Sequence, residues 1–164
     1  MAICSVSDRA IEAGRQVENR GLYFDIVALY DYLIKKDYQY PSTPSIPHMY
    51  ALDYQLEKIL DEGLENRYNR HLEMAKYVRN WGKKYFELFV KDEKYLSNTL
   101  TTIKNTRSID LSKLNKELGN RGFMISNGYG DLKDLTFRIS HMADYTLEEV
   151  KELIENINDI LGLK

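Results

Sequence analysis

The sequence predicts an α+β protein in two layers, a small sheet with helices on one face, preceded by a mainly helical stretch. Three observations point there. From about residue 82 onward, short alternating runs and amphipathic segments follow one another as strand, strand, helix, strand, strand, helix. The last of these segments presents Leu147, Val150, Leu153, Ile154, Ile157, Ile160 and Leu161 on one face, which needs another layer to lie against. Residues 47–81 instead repeat apolar side chains at spacings near three or four, the period of a helix.

In chain order, Met1 to Val6 reads as a short buried strand, and Ser7 or Asp8 can cap a helix that runs to about Glu18. Asp25 can cap a second helix with Ile26, Leu29, Tyr30 and Leu33 inward, ending near Lys35 and Lys36, where cations suit the helix dipole. Tyr40-Pro-Ser-Thr-Pro-Ser-Ile-Pro47 then holds all 3 prolines and is the sharpest break in composition. A long helical region follows to about Trp81, and Gly63 should bend or interrupt it. Phe86 to Val90 and Thr99 to Lys104 read as strands. Asp110 caps a helix with Leu111, Leu114 and Leu118 inward, which Gly119 or Gly122 ends. Phe123 to Ser126 and Leu135 to Ser140 read as two further strands, joined through the loop Asn127 to Gly130. Thr146-Leu-Glu-Glu149 is a capping box, in which hydroxyl and carboxylate each satisfy a free backbone donor at the start of the last helix.

Composition excludes several classes. The 164 residues fit one domain, or one domain and part of another. Lys and Arg total 23 against 25 Asp and Glu, so there is no basic excess for a nucleic-acid backbone. The single Cys4 cannot form an internal disulfide, which suits a cytoplasmic protein, and no Cys/His spacing suggests a metal site. No run approaches the roughly 18 apolar residues of a spanning helix, so no membrane partner is expected. His48, His71 and His141 have no helical pairing and read as surface or loop residues. The charged stretch Asp61 to Arg70 reads as a solvated helix face. No phosphate loop, zinc-protease motif or nucleophile elbow is present.

Two places could carry chemistry. Proline fixes φ, so the hydroxyls of Tyr40, Ser42, Thr43 and Ser45 lie on a stiff path just before a helix whose first amides are unpaired. Such a place can hold a phosphate. A rigid linker with a helix cap explains the same residues, and composition by itself favours it. Arg138 is the second place. In Leu135-Thr-Phe-Arg-Ile-Ser140 alternation sets Leu135, Phe137 and Ile139 on one face and Thr136, Arg138 and Ser140 on the other. A guanidinium on a strand is a rigid fork for a carboxylate. Taken alone, a solvated arginine on an open sheet is the simpler reading.

These segments stand in an order that resembles the carboxyl-terminal part of a class V, fold type I pyridoxal-phosphate aminotransferase of the alanine-glyoxylate and serine-pyruvate group. Ser5-Val-Ser-Asp-Arg-Ala10 resembles the strand-to-helix segment after the family's cofactor lysine, and Leu22-Tyr-Phe-Asp25 resembles its Tyr-Tyr-Leu-Asp motif. Tyr40 to Pro47 with Tyr50-Ala-Leu52 resembles its Thr-Pro loop. Glu62-Gly-Leu-Glu65 with Arg70-His71 resembles its EGLE…RH helix, and Phe137-Arg-Ile-Ser-His-Met142 resembles its Arg-Ile-Gly-His-Met strand.

The resemblance implies a remnant of the large cofactor-binding domain over residues 1–36, a Pro-rich loop and connecting helices over 37–81, and the small α+β domain over 82–164. It implies that Arg138 grips the α-carboxylate of the substrate, and that Tyr40 and Thr43 reach the phosphate of pyridoxal 5′-phosphate in the neighbouring subunit of a homodimer. Both site readings then prevail over their bland alternatives. Substrates would be a small amino acid and a 2-oxo acid such as glyoxylate or pyruvate. Departures from the family accompany this. No lysine here stands in the context of the Schiff-base lysine, so no catalytic residue is assigned, and the chain alone is expected to be inert and to bind no cofactor. Ser140 and Ala143 replace glycines usual in the family. The first strand, without neighbours, would leave an apolar edge for self-association or a disordered start. A non-catalytic α+β interaction module is the alternative from another class. A cysteine desulfurase fits less well, because Cys4 falls in the predicted first strand rather than on a mobile loop. Phosphoserine transamination lacks the additional cations it would need.

Overall fold

The computed structural model describes residues 3–164 and divides into two compact units, Met1–Lys58 and Ile59–Lys164. In the first unit, α1 spans Asp8–Arg15 and α2 spans Ile26–Lys35. Ser7 caps α1 by accepting from Ala10 N, and Asp25 caps α2 by accepting from Val27 N at 3.0 Å and Ala28 N at 3.2 Å. Arg20 Nε lies 3.0 Å from both oxygens of the same carboxylate. Burial would raise the Asp25 pKa, but the guanidinium and the two amides outweigh it and hold the carboxyl below its ordinary value. The two helices cross where Gly14 faces Val27, and a Cβ on Gly14 would come within 2.7 Å of a Val27 methyl. Ile11 and Val27 are the buried apolar residues among those described in this unit.

The strand expected at Met1 to Val6 is not formed over residues 3–6, and Met1 and Ala2 lie outside the described residues. No strand in this unit, among the described residues, offers it a ladder of backbone partners. The first helix also stops three residues short of Glu18, at Arg15 with Gln16 as its cap.

The proline-bearing segment leads into α3, Ile46–Glu62, and Gly63 at φ 81° separates it from α4, Leu64–Tyr85. The predicted interruption is therefore a break between two helices. Its two sides differ, since α3 has no buried residue whereas α4 buries His71, Met74, Ala75, Val78, Trp81 and Gly82.

The second unit contains a four-stranded antiparallel sheet. Strands β1 (Glu87–Leu88), β2 (Leu100–Lys104), β3 (Ser126–Asn127) and β4 (Thr136–Ser140) are ordered β1-β2-β4-β3. The expected strands at Phe86 to Val90 and Phe123 to Ser126 shrink to two residues each at the sheet edges, and the latter moves toward Asn127. Register pairs Thr101 with Ile139, Thr102 with Arg138 and Ile103 with Phe137. One face, with Ile103, Phe137 and Ile139, packs with α4, α5 (Leu111–Asn120) and α6 (Leu147–Leu161) into a single apolar core. Trp81 donates to Asn158 Oδ1 at 2.8 Å, tying α4 to α6. Asp110 and the Thr146–Glu149 capping box begin α5 and α6 as predicted. Within this unit, and among the described residues, the helices lie on one face of the sheet and leave the face carrying Thr102, Arg138 and Ser140 without a helical layer of its own, which is the predicted α+β class.

Candidate functional site

Arg138 lies at the centre of that uncovered face. It is half-buried on β4, with β2 on one side and β3 on the other. Its Nε donates to the Asn127 carbonyl at 3.1 Å, and its guanidinium carbon sits 4.4 Å from the centre of the Tyr129 ring. Among the described residues no carboxylate pairs with it, and its two terminal nitrogens have no hydrogen-bond partner. The arrangement leaves two parallel N–H donors for an added anion, the geometry that suits a planar carboxylate. The alternation predicted for this strand holds from Phe137 to Ser140 and fails at its start. Leu135 is exposed, while Thr136 is buried with its hydroxyl donating to Leu132 O at 3.3 Å.

The turn after β4 is held by a cluster that sequence reading treated as solvated. Arg70 donates to both oxygens of Glu62, at 2.6 and 3.0 Å, and Arg67 donates to Glu62 at 2.8 Å and to Asp144 at 3.2 Å. Arg70 also donates to the carbonyls of Ala143, at 3.1 Å, and Tyr145. Hydrogen bonding from Arg70 first, and from Arg67 as well, overcomes burial and lowers the Glu62 pKa from 4.5 to about 2. The Asp61 to Arg70 stretch is thus not a free solvated face. Its Glu62-Gly and Arg70-His pieces, already singled out in the resemblance, are the signal that could have shown this. Ala143 itself adopts φ 60°, the conformation that favours the glycine usual there.

His48 is at the surface as expected, and the other two histidines are not. His48 is exposed on α3, with Nδ1 2.6 Å from Ser45 Oγ. His71 is buried, with Nδ1 2.7 Å from Arg67 O. His141 is fully buried at the end of β4; Nδ1 donates to Asn98 O at 3.1 Å, so Nε2 accepts from the Thr101 hydroxyl at 2.8 Å. Burial pushes its pKa down, and the charges of Arg79 and His71 add to this against the hydrogen bond to Asn98.

In the first unit, Tyr40 and Thr43 stand on the exposed loop before α3, and neither hydroxyl has a hydrogen-bond partner among the described residues. Tyr40, Ser42 and Ser45 border a hollow of about 750 Å³, otherwise walled mainly by apolar side chains such as Ile11, Leu29 and Leu52. The free hydroxyls of Tyr40 and Thr43, ahead of a long helix, form a donor set that fits a phosphate ester. Tyr40 and Thr43 thus share one loop, while Arg138 belongs to the other unit. Cys4 is exposed in irregular chain. Among the described residues no group of His, Cys, Asp and Glu could hold a metal ion, and no helix is long and apolar enough to cross a membrane.

No protein-family model matches the chain. It is 36% identical over 146 residues to an uncharacterized aminotransferase of Methanocaldococcus jannaschii, covering 87% of this chain and 37% of that protein. Serine–glyoxylate aminotransferase of Arabidopsis thaliana is 30% identical over 151 residues, covering 88% of this chain and 36% of that one. Among solved structures, alanine–glyoxylate aminotransferase from Nostoc sp. superposes with a TM-score of 0.79 at 25% identity, over 96% of this chain and 42% of that one. The chain therefore spans a little over a third of the length of the curated relatives it matches. Fold, motif order and relatives agree, and the chain belongs to the class V, fold type I aminotransferases.

Proposed function

We propose that this chain supplies the substrate-carboxylate contact and part of the cofactor-phosphate contact of an aminotransferase that moves an amino group from a small amino acid to a 2-oxo acid such as glyoxylate or pyruvate. The observation that carries the reading is Arg138, a strand-mounted guanidinium with two unpartnered terminal nitrogens in a chain of this family. Its charge-assisted donors bind either substrate by the group that both share, the carboxylate, at about 1.5 to 3 kcal/mol for each such hydrogen bond. Tyr40 and Thr43 would hold the phosphate of pyridoxal 5′-phosphate, and their free hydroxyls support this. Bound there, that cofactor supplies the electron sink for proton removal at the substrate Cα. By family analogy the loop serves the neighbouring subunit of a homodimer. Arg138 orients the substrate, while the covalent anchor and the base come from outside these 164 residues, so the polypeptide by itself has no transaminase turnover.

The test is a chimera in which this chain replaces the matching 37% of the Methanocaldococcus jannaschii protein. Transamination of glyoxylate or pyruvate by the chimera, with Arg138→Ala raising KM for both amino donor and acceptor, is the expected result. Full activity in Arg138→Ala would refute the assignment, and turnover by the isolated chain would refute its inertness.

A further inference from the structure

The uncovered sheet face has a second feature beside Arg138, the exposed ring of Tyr129 resting on the guanidinium. We propose that Tyr129 is a positioning residue for carboxylate binding: its ring masks one face of Arg138 and fixes the fork edge-on to the incoming group. The inference rests on the reading of Arg138 as the carboxylate site and adds the residue that orients it.

Three features support it. First, the ring is 79% exposed, so burial of the ring does not explain its place, and cation–π attraction at 4.4 Å does. Second, the loop beneath it is rigid. Asn127 Oδ1 accepts from Gly128 N at 2.7 Å and Asp134 N at 2.8 Å, and Asn127 Nδ2 donates to Asp134 Oδ1 at 2.6 Å. Gly128 N donates to Thr136 O at 3.0 Å, and a Cβ on Gly128 would lie 2.0 Å from the Leu132 carbonyl oxygen, so only glycine fits that turn. Tyr129 follows immediately, at the start of the 3₁₀ turn Gly130–Leu132. Third, the guanidinium is held at two independent places. The Asn127 carbonyl takes Nε–H and the ring takes one π face, which leaves the edge bearing the terminal nitrogens. A planar carboxylate meets that edge with two parallel hydrogen bonds, at little loss of side-chain freedom because the fork is already ordered.

The 164-residue chain, isotopically labelled, would be titrated with pyruvate at constant ionic strength while the Arg138 Nε–H resonance is followed by NMR, with sodium chloride as the control anion. Wild type and Tyr129→Phe should show saturable, pyruvate-specific shifts of equal affinity, since phenylalanine keeps the ring. Tyr129→Ala should bind about two- to five-fold more weakly, which is about 0.5–1 kcal/mol for an exposed cation–π contact at about 1.4 kcal/mol per tenfold. Equal affinity in Tyr129→Ala would overturn the positioning role and leave Arg138 as the carboxylate site. Absence of a specific shift in wild type would overturn both. A loss in Tyr129→Phe as large as in Tyr129→Ala would assign the effect to the phenol hydroxyl and refute the ring-stacking mechanism. Unchanged chemical shifts in the helices of each variant would show that the fold is intact.

Discussion

Glu62→Gln should destabilise the second unit in a way that depends on pH. The substitution keeps the side chain's shape and removes its charge, leaving Arg67 and Arg70 together without the carboxylate that both bind. Lowering the glutamate pKa from 4.5 to about 2 corresponds, at about 1.36 kcal/mol per unit, to an upper bound of about 3 kcal/mol. Water still reaches a quarter of the Glu62 side chain, and screening should reduce that figure to about 1–2 kcal/mol. Because the folded pKa lies below the unfolded one, the contribution is fully present above about 4.5 and is lost as pH falls toward about 2. Urea unfolding followed by Trp81 fluorescence measures this, since the single tryptophan is buried in the core of the second unit. The expected result is a stability deficit of the variant near neutral pH that shrinks steadily below about pH 4.5. A deficit independent of pH between those limits, or none at all, would refute the assignment of the low pKa to the two arginines.

Ala143→Gly should stabilise the turn after β4, since alanine at φ 60° carries a penalty of about 1–2 kcal/mol, of which glycine's greater freedom when unfolded returns part. A rise in the urea midpoint equivalent to about 0.5–1 kcal/mol is expected, and a fall would show that the Ala143 methyl is needed where it stands. His141 should titrate below the ordinary histidine value of 6.5, because its ring is buried and Arg79 and His71 disfavour the cation. With its pKa depressed on folding, stability is complete above about 6.5 and declines as pH falls through the folded value. An NMR titration of the ring would contradict this if its midpoint lay at or above 6.5.

Much of the fold is legible because each element of the second unit has local signals that agree with its tertiary role. Asp110, Thr146 and Glu149 mark helix starts by their own hydrogen bonds, and the leucines of α5 and isoleucines of α6 fall at the spacing that the core requires. Edge strands are harder to place. β1 and β3 owe their two paired residues to β2 and β4, so their limits depend on partners distant in sequence. The first segment shows the same dependence in stronger form. Ile3 and Val6 are apolar enough for a buried strand, but with no ladder available among the described residues they remain irregular and exposed. Helix α3 extends the point, since Tyr50, Tyr54 and Leu60 carry a helical period while none is buried. Periodicity shows which face is apolar and not what covers it.

The site divides along the same line. Arg138 is singled out as a candidate by alternation and motif because both depend on its immediate neighbours in the chain. Its surroundings are not local. Tyr129 reaches the guanidinium only because a tightly bonded loop folds back from β3, and that geometry requires Gly128 and the Asn127–Asp134 pair together. Likewise, Glu62, Arg67 and Arg70 look like alternating surface charges until the chain brings the Ala143 and Tyr145 carbonyls, more than seventy residues later, into reach of Arg70. A charge whose partners are backbone carbonyls leaves no pattern in residue types, because every residue has a carbonyl. The two motifs are therefore coupled through structure rather than sequence: the EGLE…RH helix clamps the turn that follows the Arg138 strand. A substitution in the first should be felt at the second before it is felt elsewhere in the unit.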